Sequence, residues 1–430
     1  STVSHLARKF VAYFQVVHQE SRSPLRAAMR QRGGYILHVD GSCEEGSRVL
    51  LVCMDSLSGQ VLESRKISSE NHEEVKGVLR DVRRGWGIPL AVVHDLRKAL
   101  ISAAGEVFEG VPQFICHYHL AADVGKDILG PHADRLRRLF RHTKVRPKLR
   151  ALVRSLKVFA TSQDTGDLIV TSILRAQSKK KLQTHCTPEA VKGAVHALAS
   201  WILAYSQDGE GYGFPFDMPY LNLYERILRV HDAIDHVRAS WPDRKRGPLG
   251  TFTRFAEILD SVVTGEYAAE FRQAVVETKK DMRIFDRFRS ALRICPKGGK
   301  GKANEDAPPV LSARRHKRIL KDLRTSLKKQ ARRKGPAARA CTIVVQHVDK
   351  YWKYLFGHVR RSGSRRIVVP RTNNIEEGLL GIVKRQCRRL HGRGHLSRDI
   401  EAMSPATPPT GTTTTMAAGF TFPTAGATHR

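Results

Sequence analysis

The sequence predicts an α/β fold: a mixed sheet flanked by helices and interrupted by a large all-α insertion. Three observations predict it. Over residues 35–133, short apolar runs with strand character alternate with helical spacing in the order β-β-β-α-β-α-β-α. Residues 134–350 carry helical periodicity with few strand signals. After Pro370 a polar turn opens one more helix, so the helical stretch divides the sheet-bearing region.

Taken in order, residues 5–31 read as an amphipathic helix broken at Ser23-Pro24, within a lead-in (1–34) that would be the remnant of an N-terminal region. The run 35–40 (YILHVD) ends on an acid and is followed by Gly41. The run 49–55 and the alternating stretch 60–67 flank the turn Ser56-Leu57-Ser58-Gly59, which makes three strands in a meander. Over 70–85, Val75, Val78, Leu79 and Val82 share one helical face. Residues 89–95 form a fourth strand, again ending on an acid, and 96–108 a helix. A fifth short strand at 113–117 leads into a helix from about Leu120. Residues 209–219 are a Gly/Pro/aromatic loop, 297–309 a linker, and 371–374 a polar turn before a helix from Ile375 to about Leu390. The expected partition is 35–133 for the first part of the sheet-bearing domain, 134–369 for a helical, basic insertion, and 370–395 for the domain's C-terminal helix. From Ser404 onward the chain has nine threonines and no acid, and reads as a disordered low-complexity tail.

Composition narrows the function. The 430 residues are 41% hydrophobic, enough for a packed core and against wholesale disorder. The net charge of +33 points to polyanionic partners, nucleic acid first and an anionic membrane surface second. No apolar run reaches the roughly 18–20 residues of a spanning helix, and the first residues lack the apolar centre of a signal peptide, so no membrane partner is expected. The chain starts without Met, as a fragment or a processed product would. Seven scattered cysteines with no CxxC pair argue against a disulfide framework and a zinc ribbon, which makes a reducing cytoplasm the expected location.

The charge is concentrated. Residues 134–157 hold ten Lys/Arg against one acid, 297–339 fifteen against three, and 353–393 eleven against two. These segments account for +30 of the +33, a pattern suited to tracking phosphate backbones. In 314–334, cations alternate with Ile319, Leu320, Leu323 and Leu327, an apolar stripe beside a charged face. Arg314, Arg315, Lys317 and Arg318 begin that run, and Lys384, Arg385, Arg388, Arg389 and Arg393 occupy the last helix; both groups are candidate DNA contacts. Such contacts position a duplex without reading its sequence.

Inside the third basic segment lie two acids, Glu376 and Glu377. Asp40 ends the first strand and Asp95 the fourth, and functional groups of open α/β sheets collect at such strand ends. If the two strands are neighbours, their carboxylates can share Mg²⁺ or Mn²⁺, cations that favour carboxylate oxygens. A third acid opening a helix beside the first strand would complete a two-metal site for in-line phosphoryl displacement, and Glu376 or Glu377 fits that description.

The stretches YILHVDG (35–41), AVVHD (91–95), QFICHYH (113–119) and TNNIEE (372–377) resemble DDE transposases, specifically the Mutator-like group and related bacterial insertion-sequence enzymes. The resemblance covers 35–130 and 370–393, and 134–350 by position and length only. It implies a ribonuclease H-like catalytic domain with a helical insertion before the last acid, and a C-x-x-H motif after the second aspartate, here Cys116-His117-Tyr118-His119. It further implies a metal-dependent DNA transposase of a mobile element, with Asp40, Asp95 and one glutamate as catalytic metal ligands for two Mg²⁺ or Mn²⁺ ions. Water would be the first nucleophile and a DNA 3′-hydroxyl the second. The partners would be double-stranded DNA, at transposon ends and target, and further copies of the chain in a synaptic homo-oligomer at the bacterial nucleoid.

Two alternatives stay open. The family's Asn-x-x-Glu spacing, measured from Asn374, selects Glu377, followed by Leu379, Val383 and Lys384. Helical spacing instead gives Glu376 a face shared with Leu379, Leu380, Val383, Cys387 and Leu390. Cys116 and His119 read either as a buried structural pair or, for His119, as a DNA contact or active-site support; His94 and His117 read as local strand-end histidines. A rival function is a catalytically decayed or domesticated DNA-binding protein of the same fold, and another is a nuclease or resolvase that cuts without joining.

Overall fold

The computed structural model of the chain describes residues 20–43, 47–175, 187–240, 249–294, 312–333, 335–362 and 365–373, with single positions before 20 and between 378 and 398. The fold is α/β, with a five-stranded mixed sheet flanked by helices. The chain divides into two compact units: Ser1–Ala121, Arg289–Arg324 and Gln346–Arg430 in one, Ala122–Phe288 and Thr325–Val345 in the other.

The first unit opens with α1 (Arg22–Gln31) and continues through β1 (Ile36–Ser42), β2 (Val49–Asp55), β3 (Gln60–Ile67), α2 (His72–Trp86), β4 (Ala91–His94), α3 (Lys98–Val107) and β5 (Gln113–Ile115). The sheet order is β3-β2-β1-β4-β5. Strand β2 runs antiparallel to both β1 and β3, while β1, β4 and β5 are parallel. Helix α2 starts where it does because Asn71 Oδ1 accepts from the Glu74 N–H at 2.9 Å, and it stops at Gly87, whose φ of 88° ends the helix.

Alternation along the strands sorts the core into two faces. Tyr35, Leu37 and Val39 pack with Val75, Val78, Leu79 and Val82 of α2 and with Leu100, Ala103 and Ala104 of α3. The opposite face carries Ile36, Ala91, Val93 and Phe114, covered by Ile367 and Val369. Further along that face, Leu50, Val52 and Met54 of β2 and Val61 of β3 receive Leu380.

The helical stretch comprises α4 (His117–Thr143), α5 (Val145–Ser155), α6 (Gln163–Arg175), α7 (Pro188–Leu203), α8 (Pro219–Ser240), α9 (Leu249–Val263), α10 (Ala268–Leu292), α11 (Ala313–Arg332) and α12 (Ala338–Tyr351). The second unit has its own core, in which Phe271 contacts Phe140 and Tyr224 at 4.9 and 5.7 Å between ring centroids. Polar pairs brace it: His132 Nε2 lies 2.9 Å from Asp281, and Arg135 pairs with Glu277 at 2.7 Å.

Three local readings change. The break expected at Ser23-Pro24 falls at Ser21, the N-cap of α1, and Pro24 lies in the first turn of the new helix, where a missing N–H costs no intrahelical bond. Helix α4 begins at His117, directly after β5, because His117 N–H is satisfied by the Arg371 carbonyl at 2.8 Å. Residues expected to close the helical insertion form a hairpin instead, β6 (Val359–Ser362) with β7 (Arg365–Val368). Burial of Ile367 and Val369 against the sheet outweighs the local pattern there. The linker 297–309, residue Arg393 and the tail from Ser404 lie outside the described residues.

Candidate functional site

Register brings the first two predicted acids together. Strands β1 and β4 pair in parallel as Ile36 with Ala91, Leu37 with Val92, His38 with Val93 and Val39 with His94. Asp40 and Asp95 each follow the last residues of that ladder. Parallel neighbours lie about 4.8 Å apart and alternate faces in phase, so both aspartates project on the face that bears Ile36 and Val93. Asp55, which also ends a strand, lies at the opposite edge because β2 is antiparallel. It is a fully buried turn residue that accepts from the Ile36 and Leu57 N–H groups at 3.1 and 3.0 Å and from Ser58 Oγ at 2.6 Å.

Asp40 is buried, and its Oδ1 accepts from the Gly41 N–H at 2.9 Å. Asp95 is partly exposed; its Oδ1 accepts from the Leu96 N–H, and its Oδ2 lies 3.5 Å from Nε of Arg97. The Arg97 Nη1 pairs in turn with the carboxylate of Glu70, whose side chain is 4% exposed. Burial raises the Glu70 pKa, Arg97 opposes that rise, and the charge of Asp95 adds to it. Sequence reasoning missed Glu70 and Arg97. Glu70 precedes a helix N-cap and reads as an ordinary solvated acid, and only the glycine after Asp40 hints that something must pass close to that strand.

Cys116 and His119 join the same edge. Cys116 is buried at the end of β5, where its N–H donates to the His94 carbonyl at 2.8 Å. Burial opposes a charge on His119. Cys116, which accepts its hydrogen bond, and the carboxylates of Asp40 and Asp95 more than offset this, so the His119 pKa is held above its ordinary value. His119 therefore lies close enough to both aspartates to feel their charge.

Asn373 ties the C-terminal turn to this edge. Its Nδ2 donates to the Val39 carbonyl at 3.4 Å, so its Oδ1 faces Nδ1 of His38 at 3.2 Å. Its N–H donates to Cys116 Sγ at 3.4 Å. Glu376 and Glu377, the alternative third acids, lie outside the described residues. Two described residues on either side of them, Asn373 and Leu380, contact the strands of that sheet face: Asn373 bonds to β1, and Leu380 packs on Val52, the β2 partner of Asp40.

Beneath the turn is a group of buried histidines. The ring of His117 lies 5.0 Å from His358 and 5.7 Å from His316, and the Phe114 ring lies tilted 4.4 Å from His358. Burial lowers the pKa of all three, and the guanidinium of Arg371 lowers them further; His316 falls to about 4. Burial likewise brings His38 to about 4, against its bond to Asn373. Burial lowers His94 as well, and the Asp95 carbonyl at 2.7 Å from its Nδ1 opposes this. His94 and His117 are thus neutral core histidines at the strand ends.

Of the predicted DNA contacts, Arg314, Arg315, Lys317 and Arg318 are exposed on α11, whose other face buries His316, Leu320 and Leu327. Arg385, Arg388 and Arg389 are exposed at described helical positions of the C-terminal segment, and Lys384 is half-buried there. In the 134–157 segment part of the charge has an internal use, since Arg135 pairs with Glu277 and Arg146 lies over Tyr205 and Tyr220. Arg138, Arg141, Lys148, Arg150 and Arg154 remain exposed.

Carboxylate oxygens from adjacent strands suit a hard divalent cation such as Mg²⁺ or Mn²⁺. Asp40 and Asp95 fit two of the donors of such a site. Among the described residues, no group of three His, Cys, Asp or Glu side chains is arranged to hold a metal ion. Among the same residues, no helix is long and apolar enough to cross a membrane. No protein-family model matches the chain, and no curated protein matches it by sequence.

Proposed function

We propose that the protein is a DDE-type DNA transposase with a ribonuclease H-like catalytic domain, of the Mutator-like and bacterial insertion-sequence kind. The observation that carries this reading is that Asp40, within β1, and Asp95, just after β4, follow the last paired residues of two adjacent parallel strands, on one face of the sheet. A mixed sheet followed by a long helical stretch, with exposed cations on α11 and on the C-terminal segment, supports it further.

In this reading Asp40 and Asp95 present their carboxylates to the cations, and Glu377, or Glu376 in its place, completes the set. Two Mg²⁺ or Mn²⁺ ions, when bound, supply charge neutralisation for an in-line displacement at phosphorus. His119 offers a positively charged N–H to a phosphate oxygen beside the aspartates. Arg314, Arg315, Lys317 and Arg318, with Lys384, Arg385, Arg388, Arg389 and Arg393, hold the DNA backbone. Water attacks a phosphodiester at the element's end and frees a 3′-hydroxyl. That hydroxyl then attacks a target-strand phosphorus and displaces its 3′-oxygen, exchanging one P–O bond for another. The enzyme would act in the bacterial cytoplasm at the nucleoid, as a synaptic homo-oligomer on double-stranded DNA.

The test is cleavage and strand transfer on supercoiled DNA with Mg²⁺ or Mn²⁺, comparing the wild type with Asp40→Ala, Asp95→Ala and Glu377→Ala. Divalent-dependent cutting that each substitution abolishes is the expected result. Cutting that survives all three sinks the site. Salt-sensitive DNA binding without cutting selects the decayed DNA-binding protein, and cutting without joining selects the nuclease.

A further inference from the structure

A chain of contacts joins the two aspartates from behind. The Glu70 carboxylate lies over the residue that follows Asp40: a methyl group on Gly41 would sit 1.8 Å from Glu70 Oε1 and 2.9 Å from its Cδ. Only a residue without a side chain leaves that space. From the other strand, Arg97 precedes the first residue of α3, so its guanidinium reaches back toward the sheet edge. One end pairs with the nearly buried Glu70, and Nε stops 3.5 Å from Asp95 Oδ2. A charge-assisted N–H···O bond closes to about 2.7–2.9 Å, so Arg97 is drawn to Glu70 and only leans on Asp95.

We propose that Arg97, anchored by Glu70, is a built-in counter-cation of Asp95 that sets how tightly the aspartate pair binds its divalent cation. This rests on the metal-site reading above and deepens it. Glu70 keeps the guanidinium off Asp95 and leaves Oδ2 open; Arg97 neutralises Glu70 and keeps the edge from carrying a third uncompensated carboxylate. Both are positioning residues, acting through Asp95.

The two partners therefore have opposite effects. Without Glu70, Arg97 closes onto Asp95 and competes with the metal. Without Arg97, Glu70 adds its negative charge near Asp95 and strengthens the metal's hold. A structural ion pair would instead make both losses act in one direction.

The experiment is calorimetric titration of the full chain with Mn²⁺ alone, with circular dichroism to verify the fold of each variant. One unit of charge at this range, partly screened, corresponds to about a tenfold change in affinity. Arg97→Gln should tighten Mn²⁺ binding about tenfold, and Glu70→Gln should weaken it about tenfold. Gly41→Ala should push the Glu70 carboxylate aside and reproduce the Glu70→Gln result. Arg97→Lys, which keeps the charge, should stay within about twofold of the wild type. Asp40→Asn is the control that abolishes binding. Shifts of the same sign in Arg97→Gln and Glu70→Gln, or no shift in either while Asp40→Asn abolishes binding, overturn the proposal and leave the metal site standing. Binding that is absent from the wild type, or indifferent to Asp40→Asn, overturns the metal site and this proposal together.

Discussion

His38 Nδ1 donates to Asn373 Oδ1 at 3.2 Å, across 335 positions of sequence. That bond, with the Asn373 Nδ2 contact to the Val39 carbonyl, fixes the turn before the C-terminal segment to the strand that carries Asp40. The geometry also decides the His38 tautomer, since Nδ1 must carry the proton.

Asn373 is fully buried, so its loss would strand the His38 Nδ1 proton and the Val39 carbonyl. Asn373→Ala is expected to cost about 2–6 kcal/mol, one to three for each group left unsatisfied. Asn373→Asp keeps an acceptor for His38 but buries a charge and is expected to cost at least as much. Urea unfolding of both variants measures this. A cost below about 0.5 kcal/mol would mean that the turn is held by other contacts.

Acid should loosen the histidine group. His316 has a folded pKa of about 4, below the ordinary value of about 6.5. Between those values the unfolded chain binds more protons than the folded one, so stability falls as pH drops from about 6.5 toward 4. The slope is about 1.4 kcal/mol per pH unit for each such histidine, and it is complete once pH passes the folded value. His117 and His358 are lowered too and steepen the loss. Melting curves from pH 7 to 4 should show His316→Leu losing less stability than the wild type; an identical pH dependence would remove His316 from this account.

Asp40, Asp95 and Asp55 should separate by phenotype. Asp40→Asn and Asp95→Asn are expected to lower divalent-dependent DNA cleavage by more than about a hundredfold while moving the melting temperature little. Asp55→Ala should do the reverse, costing about 3 kcal/mol or more by leaving the Ile36 and Leu57 N–H groups unpaired. Parallel cleavage and thermal-unfolding measurements decide it. Equal destabilisation by all three would make Asp40 and Asp95 structural.

Exposed cations on α11 should contribute to affinity through salt. Replacing Arg314, Arg315, Lys317 and Arg318 by Ala is expected to flatten the dependence of log K on log salt by about 0.9 for each phosphate that is no longer neutralised. Fluorescence anisotropy on a duplex, from about 50 to 200 mM salt, measures the slope. An unchanged slope would place the DNA elsewhere.

The strands, the helices around them and the two acid-ended runs were legible because each is a local pattern. A period of two marks 60–67, and helical spacing marks Val75, Val78, Leu79 and Val82. The hairpin at 359–368 was not legible, because two short strands rich in arginine become strands only when Ile367 and Val369 find the sheet. The buried face of α11 was half legible: Leu320 and Leu327 mark the stripe, but His316 on the same face looks polar in sequence.

From the sequence alone follow the alternation of strands and helices, the concentration of positive charge in three segments, and the acids Asp40 and Asp95 in acid-bearing strand runs; the expected end of the first strand at Asp40 moves to Ser42. Tertiary structure decided which acids meet. Parallel pairing of β1 with β4 sets Asp40 beside Asp95, antiparallel β2 turns Asp55 away, and Arg97 reaches Glu70 across the edge. The physical reason is that side-chain periodicity reports only which way a residue faces its own strand or helix. Neighbours and their register follow from burying all the apolar faces at once, and no local stretch contains that information.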